Sequence, residues 1–263
     1  MGSTTKSPEE KRKNNESLPP VPLRGEQRSE TSKMRVYFVR HAQSVGNSRR
    51  MYFNFTDPLT RTGIEQAEKV AERFKDIQID VIVCSRHERA MHTARIIGKA
   101  LNKKIRITSL FNEQKTPTEW HGQPTQGNVV SETLLEQEKH MGEPKWHYSD
   151  EENKFDLEKR ARRAMRYLED LGKKNVLVVS HSGMIRMFFI AVAFFDKGLR
   201  IRKDPALFYE TASRISYLLP VSNTGITIFN YDGKWKLDTW NDRSHVDQGL
   251  GVVAYFSTRK LRH

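Results

Sequence analysis

The chain has 263 residues, 37% of them hydrophobic, and its 45 Lys and Arg against 32 Asp and Glu give a formal net charge of +13. That length admits one large domain or two small ones, and a single cysteine, Cys84, excludes an internal disulfide framework and fits a reducing compartment. No apolar run approaches the roughly 20 residues of a membrane-spanning helix and no signal-peptide core opens the chain, so a soluble, cytoplasmic protein is the expectation.

Residues 1–33 mix seven Lys/Arg and five Glu with Ser, Thr, Asn and Pro and almost no large apolar side chains, which predicts a disordered basic tail ahead of one domain over 34–263. Val36-Tyr37-Phe38-Val39 reads as a buried strand that stops at Arg40-His41. Residues 47–58 read as a loop. Apolar residues at 64, 67, 70, 71 and 74 predict a helix introduced by Thr60-x-x-Gly63, and residues 79–84 a second strand followed by a helix over 88–101. Cys84 ends the run Val81-Ile82-Val83-Cys84 and is expected to be an inert core thiol. Residues 105–110 suggest a third strand. The stretch 114–155 shows only a helical patch over 130–141 and reads as an insertion folded over the sheet.

Residues 157–171 predict an amphipathic helix whose Arg160, Arg162, Arg163 and Arg166 read as a solvated face. Val176-Leu177-Val178-Val179 is a strongly apolar strand ending in Ser180-His181, and an apolar helix over 184–195 follows it. Residues 196–220 read as a second irregular insertion, and 225–231 with 235–240 as a hairpin around Asp232-Gly233. Strands alternating with helices predict an α/β protein, a three-layer α/β/α sandwich on a mostly parallel central sheet with cap insertions.

Three apolar strands therefore end in polar clusters: Arg40-His41, Ser85-Arg86 with Arg89 one turn on, and Ser180-His181. Parallel strands bring all three to one sheet edge, where open α/β sheets bind ligands. Several cations gathered in one crevice need an anion between them, and a phosphoryl group suits guanidinium forks. With the tail carrying +2, the body carries +11, which favours anionic partners: phosphorylated small molecules, phosphoproteins, nucleic acid or acidic lipid. No recognised nucleic-acid module is present. His87, His92, His121, His140, His147 and His245 scatter without metal-ligand spacing and read as surface or supporting side chains.

Several pieces occur in a fixed order. They are Arg40-His41-Ala42-Gln43-Ser44 with Asn47, Leu59-Thr60-x-x-Gly63-x-x-Gln66-Ala67, Ser85-x-x-x-Arg89-Ala90-x-x-Thr93-Ala94, Asn112-Glu113, and Val179-Ser180-His181-Ser182-Gly183. Asn223-Thr224-Gly225-Ile226-Thr227 and Asn241-Asp242-x-x-His245 complete the set, which resembles the histidine phosphatase superfamily with its phosphoglycerate mutase-like fold. Ala42 departs from the family's usual Gly, and a methyl there is expected to be tolerated.

The resemblance implies that His41 is a nucleophile forming a phosphohistidine, that Arg40, Arg89 and His181 bind the phosphoryl oxygens and stabilise charge during transfer, and that Asn47 adds a neutral hydrogen bond. Arg86 is a rival for the place of Arg89, and the Arg-Ala-x-x-Thr-Ala spacing prefers Arg89. Glu113, with Glu119 nearby, is implied as the acid that protonates the leaving alcohol and then takes a proton from water. No metal and no cofactor is implied.

The expected enzyme is a phosphoric monoester hydrolase of the histidine acid phosphatase type acting on a phosphorylated small molecule or a phosphoprotein, with a homodimer left open. A phosphoglycerate mutase ranks second, because the run after Glu113 lacks the mutase-type segment resembling Tyr-Gly-x-Leu-x-Gly-Leu-Asn-Lys. A non-catalytic anion-binding scaffold would not need the full Arg-His-Arg-His set.

Overall fold

The strand that delivers Arg40 and His41 is covered on both faces, as its unbroken run of large side chains requires. In the computed structural model, which describes residues 34–52, 55–195 and 204–246, strand β1 (Met34–Arg40) is flanked by a parallel neighbour and an antiparallel one. The remaining strands are β2 (Val81–Cys84), β3 (Ile105–Ile107), β4 (Asn175–Ser180), β5 (Ile226–Tyr231) and β6 (Trp235–Asp242). They form one six-stranded sheet in the order β3-β2-β4-β1-β5-β6, parallel from β3 through β1 and antiparallel across β1/β5 and β5/β6.

The period-2 alternation of the strands divides the core into two layers. Val36 and Phe38 of β1, Val176 and Val178 of β4 and Phe229 of β5 pack with helices α5 (Lys154–Asp170), α6 (Ser182–Phe195) and α7 (Pro205–Leu218). On the opposite face Tyr37, Val39, Leu177, Val179 and Ile228 pack with α2 (Arg61–Arg73) and α3 (Glu88–Leu101). The result is the three-layer α/β/α sandwich that the strand and helix alternation predicts. Cys84 lies in the second layer, where burial pushes its thiol up to about 12, and it is inert there.

Register sets the chemistry. Arg40 pairs with Ser180, and Cys84 with Val179, so the carboxyl ends of β1, β4 and β2 stop at one level. The His41 N–H donates to the Ser180 carbonyl (2.9 Å) and the Ser85 N–H to the Val179 carbonyl (3.1 Å), which keeps the residues just beyond the strands in register.

Four sequence expectations need correction. Residues 47–58 are not all loop: α1 (Val45–Arg49) is a short helix capped reciprocally by Ser44 and Asn47. The third strand stops at Ile107, and a 3₁₀ turn (Ser109–Phe111) buries Phe111 instead. The second insertion contains α7, opened by the Asp204 cap and Pro205. Its periodicity is blurred because Leu207 and Leu218 add apolar residues to the solvent side while Phe208 and Ala212 face the core. Finally, Arg160 does not share the solvent face of Arg163 and Arg166; its guanidinium turns inward beneath the Asn112–Glu113 segment. The predicted tail at 1–33, part of the second insertion (196–203) and the end of the predicted domain (247–263) lie outside the described residues.

The cap is tied together across the carboxyl edge. Tyr52 N–H donates to the Gln123 carbonyl and Gly122 N–H to the Tyr52 carbonyl (2.9 Å each), and the Tyr52 and Trp120 rings meet at 4.8 Å. Helix α4 (Asn128–Lys139) of the same region buries Val130 and Thr133.

At the base of the cap, α2 presses on the loop that carries the Arg-His pair. Thr60 Oγ1 caps the helix by accepting from the Gly63 N–H, and a Cβ built on Gly63 would stand 2.0 Å from the Gln43 carbonyl oxygen. Gly63→Ala therefore forces helix and loop apart, and a loss of about 2 kcal/mol or more of unfolding free energy is expected in a urea titration. An unchanged midpoint would mean that the two backbones separate without cost.

Candidate active site

The strand ends place two imidazoles side by side: the His41 and His181 ring centroids are 4.9 Å apart, and both residues are buried. His41 Nδ1 lies 2.8 Å from the Ala42 carbonyl, which can only accept, so the neutral ring carries its proton on Nδ1. The lone pair is then on Nε2, which faces the Nε–H of Arg89 at 3.2 Å. Arg89 reaches this position from the first turn of α3, where Thr93 Oγ1 donates to the Arg89 carbonyl (2.7 Å) and accepts from the Ala42 N–H (3.0 Å). One threonine thus fixes the loop of the nucleophile candidate and the helix of the arginine together. The Ala42 methyl packs with Leu59 and Ala67, so the extra carbon relative to glycine is accommodated.

His181 is oriented by a hydroxyl chain. The Ser85 hydroxyl has one proton and gives it to Asn112 Oδ1 (3.1 Å), so the 2.7 Å contact with His181 Nε2 is a bond donated by the ring. His181 Nδ1 is left buried without a partner in the protein. Arg86, the rival for Arg89, is exposed and meets Asn112 only through its backbone N–H.

Arg40 and Asn47 are held by a segment far away in sequence. Arg40 Nη1 donates to the Val221 carbonyl (2.6 Å), its carbonyl accepts from the Thr224 N–H (3.0 Å), and its N–H donates to the Gly225 carbonyl (3.3 Å). Asn223 Nδ2 bridges the His41 carbonyl (2.9 Å) and Asn47 Oδ1 (2.8 Å). Thr224, a β-branched residue, is driven to φ 55°, a left-handed conformation that persists because its neighbours over-determine it.

Glu113 sits one step beyond His181. Its Oε2 accepts from Ser182 Oγ and the Gly183 N–H (3.3 Å each), at the positive end of α6, and its Oε1 accepts from the Gln114 N–H (3.0 Å). A Cβ on Gly183 would stand 2.4 Å from Oε1, so the carboxylate occupies the space that glycine leaves. The nearby Glu119 is exposed and bonded to Ser149.

The fold thus brings Arg40, His41, Arg89 and His181 together, links Asn47 to them through Asn223, and sets Glu113 beside the chain that follows His181. Three contributors escaped the sequence reading. His87 takes the supporting rather than the surface alternative: it is buried, edge-on to His181 (4.7 Å) and stacked under Phe55 (4.1 Å), a place its sequence neighbours do not indicate. Asp57 is buried, with Oδ1 on the Gly46 N–H and Oδ2 3.8 Å from Arg89 Nη1. Asn223 is the third; the ordered motif set contains it without indicating what it holds.

The electrostatics follow from this crowding. Burial, then the Arg89 and Arg40 charges, hold the His41 pKa well below the ordinary histidine value, and burial with Arg89 does the same for His181. Burial, Arg89 and Arg160 take His87 down to about 3. All three rings are neutral near pH 7, and His41 Nε2 is available as a base or nucleophile without prior deprotonation. Among the described residues, no group of three or more His, Cys, Asp or Glu side chains converges in a way that would hold a metal ion.

A sequence profile of the histidine phosphatase superfamily (branch 1) matches residues 36–204. Over 159 residues the chain is 26% identical to the adenosylcobalamin/alpha-ribazole phosphatase of Escherichia coli (strain K12), a match spanning 59% of this chain and 76% of that one. It is 27% identical over 230 residues to phosphoglycerate mutase-like protein 4 of Arabidopsis thaliana, covering 81% of this chain and 87% of the relative. The solved structure of YhfR from Bacillus stearothermophilus shares the fold with a TM-score of 0.64, over 81% of this chain and 100% of that chain at 22% identity.

The neutral histidines make stability depend on pH with a definite sign. Their folded pKa values lie below the unfolded value near 6.5, so below that pH the unfolded chain binds protons that the folded chain refuses, and stability falls as pH drops. With its folded pKa about 3, His87 alone contributes a loss of roughly 2 kcal/mol at pH 5 relative to pH 7.5. Denaturant midpoints at pH 7.5, 6 and 5 should fall in that order, with a smaller fall in His87→Phe. A midpoint constant across the series would contradict buried neutral rings.

Proposed function

The chain belongs to the histidine phosphatase superfamily, and we propose that within it the protein is a metal-independent phosphatase that hydrolyses phosphate monoesters through a phosphohistidine on His41. One observation carries this reading: the His41 proton is committed to the Ala42 carbonyl, so Nε2 faces the Arg89 guanidinium with a lone pair. A phosphoryl group that enters between Nε2 and Arg89 would displace their hydrogen bond, take the guanidinium onto its own oxygens and leave the Nε2 lone pair free to attack phosphorus.

In this mechanism Nε2 forms a bond to phosphorus as the bond to the ester oxygen breaks. Arg40, Arg89 and the amide of Asn47 hold the equatorial oxygens. His181, whose Nδ1 lacks a protein partner, takes up a proton as the dianion arrives and donates it in a hydrogen bond to the same group. Glu113 protonates the departing oxygen, then takes a proton from the water that attacks phospho-His41, releasing inorganic phosphate and restoring the imidazole. The positive charge that a metal would otherwise supply comes from the two guanidiniums. Recognition of the leaving group, part of a phosphorylated small molecule or phosphoprotein, is assigned to the cap segments around Tyr52 and Phe55 and around Trp120 and Gln123. The single cysteine is buried and no helix among the described residues is long and apolar enough to cross a membrane; we assign the cytoplasm as its compartment.

Release of phosphate from an aryl phosphate should survive excess EDTA, and His41→Ala should lower it on the order of 10³-fold or more. Acid-quench mass spectrometry should find a phosphoryl adduct on His41 of the unmodified protein. Retained turnover in the variant would sink the nucleophile assignment. Transfer between phosphoglycerate positions in the presence of a bisphosphate primer, without net phosphate release, would replace the phosphatase reading with a mutase.

A further inference from the structure

The arginine that leaves the solvent face of α5 is tied to the acid candidate with an unusual completeness. A guanidinium has five N–H donors, and Arg160 uses five of its bonds on two groups of acceptors. Nε and Nη2 grip the Glu152 carboxylate at 2.7 and 2.6 Å in a bidentate pair. Nη1 donates to the Leu110 and Asn112 carbonyls at 3.1 and 2.7 Å, and Nη2 to the Glu113 carbonyl at 3.1 Å. Both partners of the pair are shielded, with side-chain exposures of 14% and 17%. The Glu152 backbone closes the arrangement: its carbonyl accepts from Gln114 Nε2 (2.8 Å), and its N–H donates to the Lys115 carbonyl (3.0 Å).

The Glu113 carboxylate, by contrast, is held loosely. Its contacts with Ser182 Oγ and the Gly183 N–H are both 3.3 Å, at the long end of hydrogen bonding, and the third is to its own neighbour. Its position is therefore set by its backbone, where Ser180 Oγ holds the Phe111 carbonyl (2.8 Å) and Arg160 holds the Asn112 and Glu113 carbonyls on either side of the residue's own peptide.

We infer that Arg160, braced by Glu152, is the positioning residue for Glu113, fixing the Leu110, Asn112 and Glu113 carbonyls from behind so that the carboxyl meets the leaving oxygen. This rests on the proposed role of Glu113 as proton donor. It also explains why arginine stands here. A lysine places three donors on one point and cannot span two carboxylate oxygens and three backbone carbonyls at once.

A simple structural role and a positioning role separate through the leaving group. Phenolate needs a proton as it departs and 2,4-dinitrophenolate does not, so a misplaced acid penalises phenyl phosphate selectively. The measurement is kcat/KM for both esters in the full-length protein, with Glu113→Gln, Arg160→Lys, Glu152→Gln and Leu168→Ala. Leu168 is buried on the same helix, two turns from Arg160, and supplies destabilisation without touching the clamp.

Glu113→Gln should lose on the order of 10²-fold more on phenyl phosphate than on the dinitrophenyl ester. Arg160→Lys should show about a 10-fold differential in the same direction, Glu152→Gln a smaller one, and Leu168→Ala none. Equal losses on both esters for Arg160→Lys, with the Glu113→Gln differential intact, would overturn the inference and leave the acid assignment standing. No differential in Glu113→Gln would remove the acid assignment and the inference with it. If Arg160→Lys does not fold, Glu152→Gln decides by the same ratio, since it keeps the guanidinium and weakens only its brace.

Discussion

Concentrating like charge at one edge of a sheet is the constraint that the rest of this structure serves. Two guanidiniums and three imidazoles share the space beyond β1, β2 and β4, and only the level register of those strands places them there. The fold accommodates the crowding by keeping the rings neutral and giving each polar contact a defined direction. The Ala42 carbonyl fixes one tautomer, the Ser85–Asn112 pair fixes the other, and Asp57 stands within ion-pair distance of Arg89. What remains is a positive field in a buried site, which favours a dianion and makes histidine a ready nucleophile at the same time.

The candidate site is built from two kinds of material. Of the groups proposed to meet the phosphoryl, Arg40, His41 and His181 lie at the ends of central strands and Arg89 in the first turn of α3, where core packing allows little movement, and Asn47 alone comes from the short helix α1. Glu113 lies on an irregular segment between the edge strand β3 and the cap, where no sheet bond restrains it. The Arg160–Glu152 pair supplies there the rigidity that strand pairing supplies to His41. Such a division lets the cap vary with the leaving group while the chemistry of the transferred group stays fixed.

Most of this was legible in the sequence because its signals are local. Apolar runs marked β1, β2 and β4, and helical spacing marked α2, α3 and α5; where such a run stops at Arg-His or Ser-His, the position of the site follows from parallel pairing. The motif spacing also preferred Arg89 over Arg86. The contributions that were not legible depend on contacts between residues far apart in the chain. Arg160 looked like one arginine in a basic helix because the carbonyls it binds lie about fifty residues upstream. For His87 the sequence left a surface and a supporting place equally open, because Phe55, which stacks on it, belongs to another segment. The helix α7 was hidden by apolar residues on its solvent side. Local pattern carries secondary structure; tertiary contact decides which side chain of a pattern is used.

The flanking of β1 by β5 has a temporal side. Arg40 is bonded on one side to Val221, Thr224 and Gly225, and the His41 carbonyl to Asn223. Those residues leave the ribosome some 180 positions after the pair they secure, about ten seconds or more at ordinary rates of synthesis. Through that interval the nascent chain can pair β1 with β4 and cover one face, yet its Arg-His turn still lacks the backbone that fixes its direction. The protein would then acquire its compact shape before its reactive geometry, and activity would arrive late in its assembly, when the final hairpin docks.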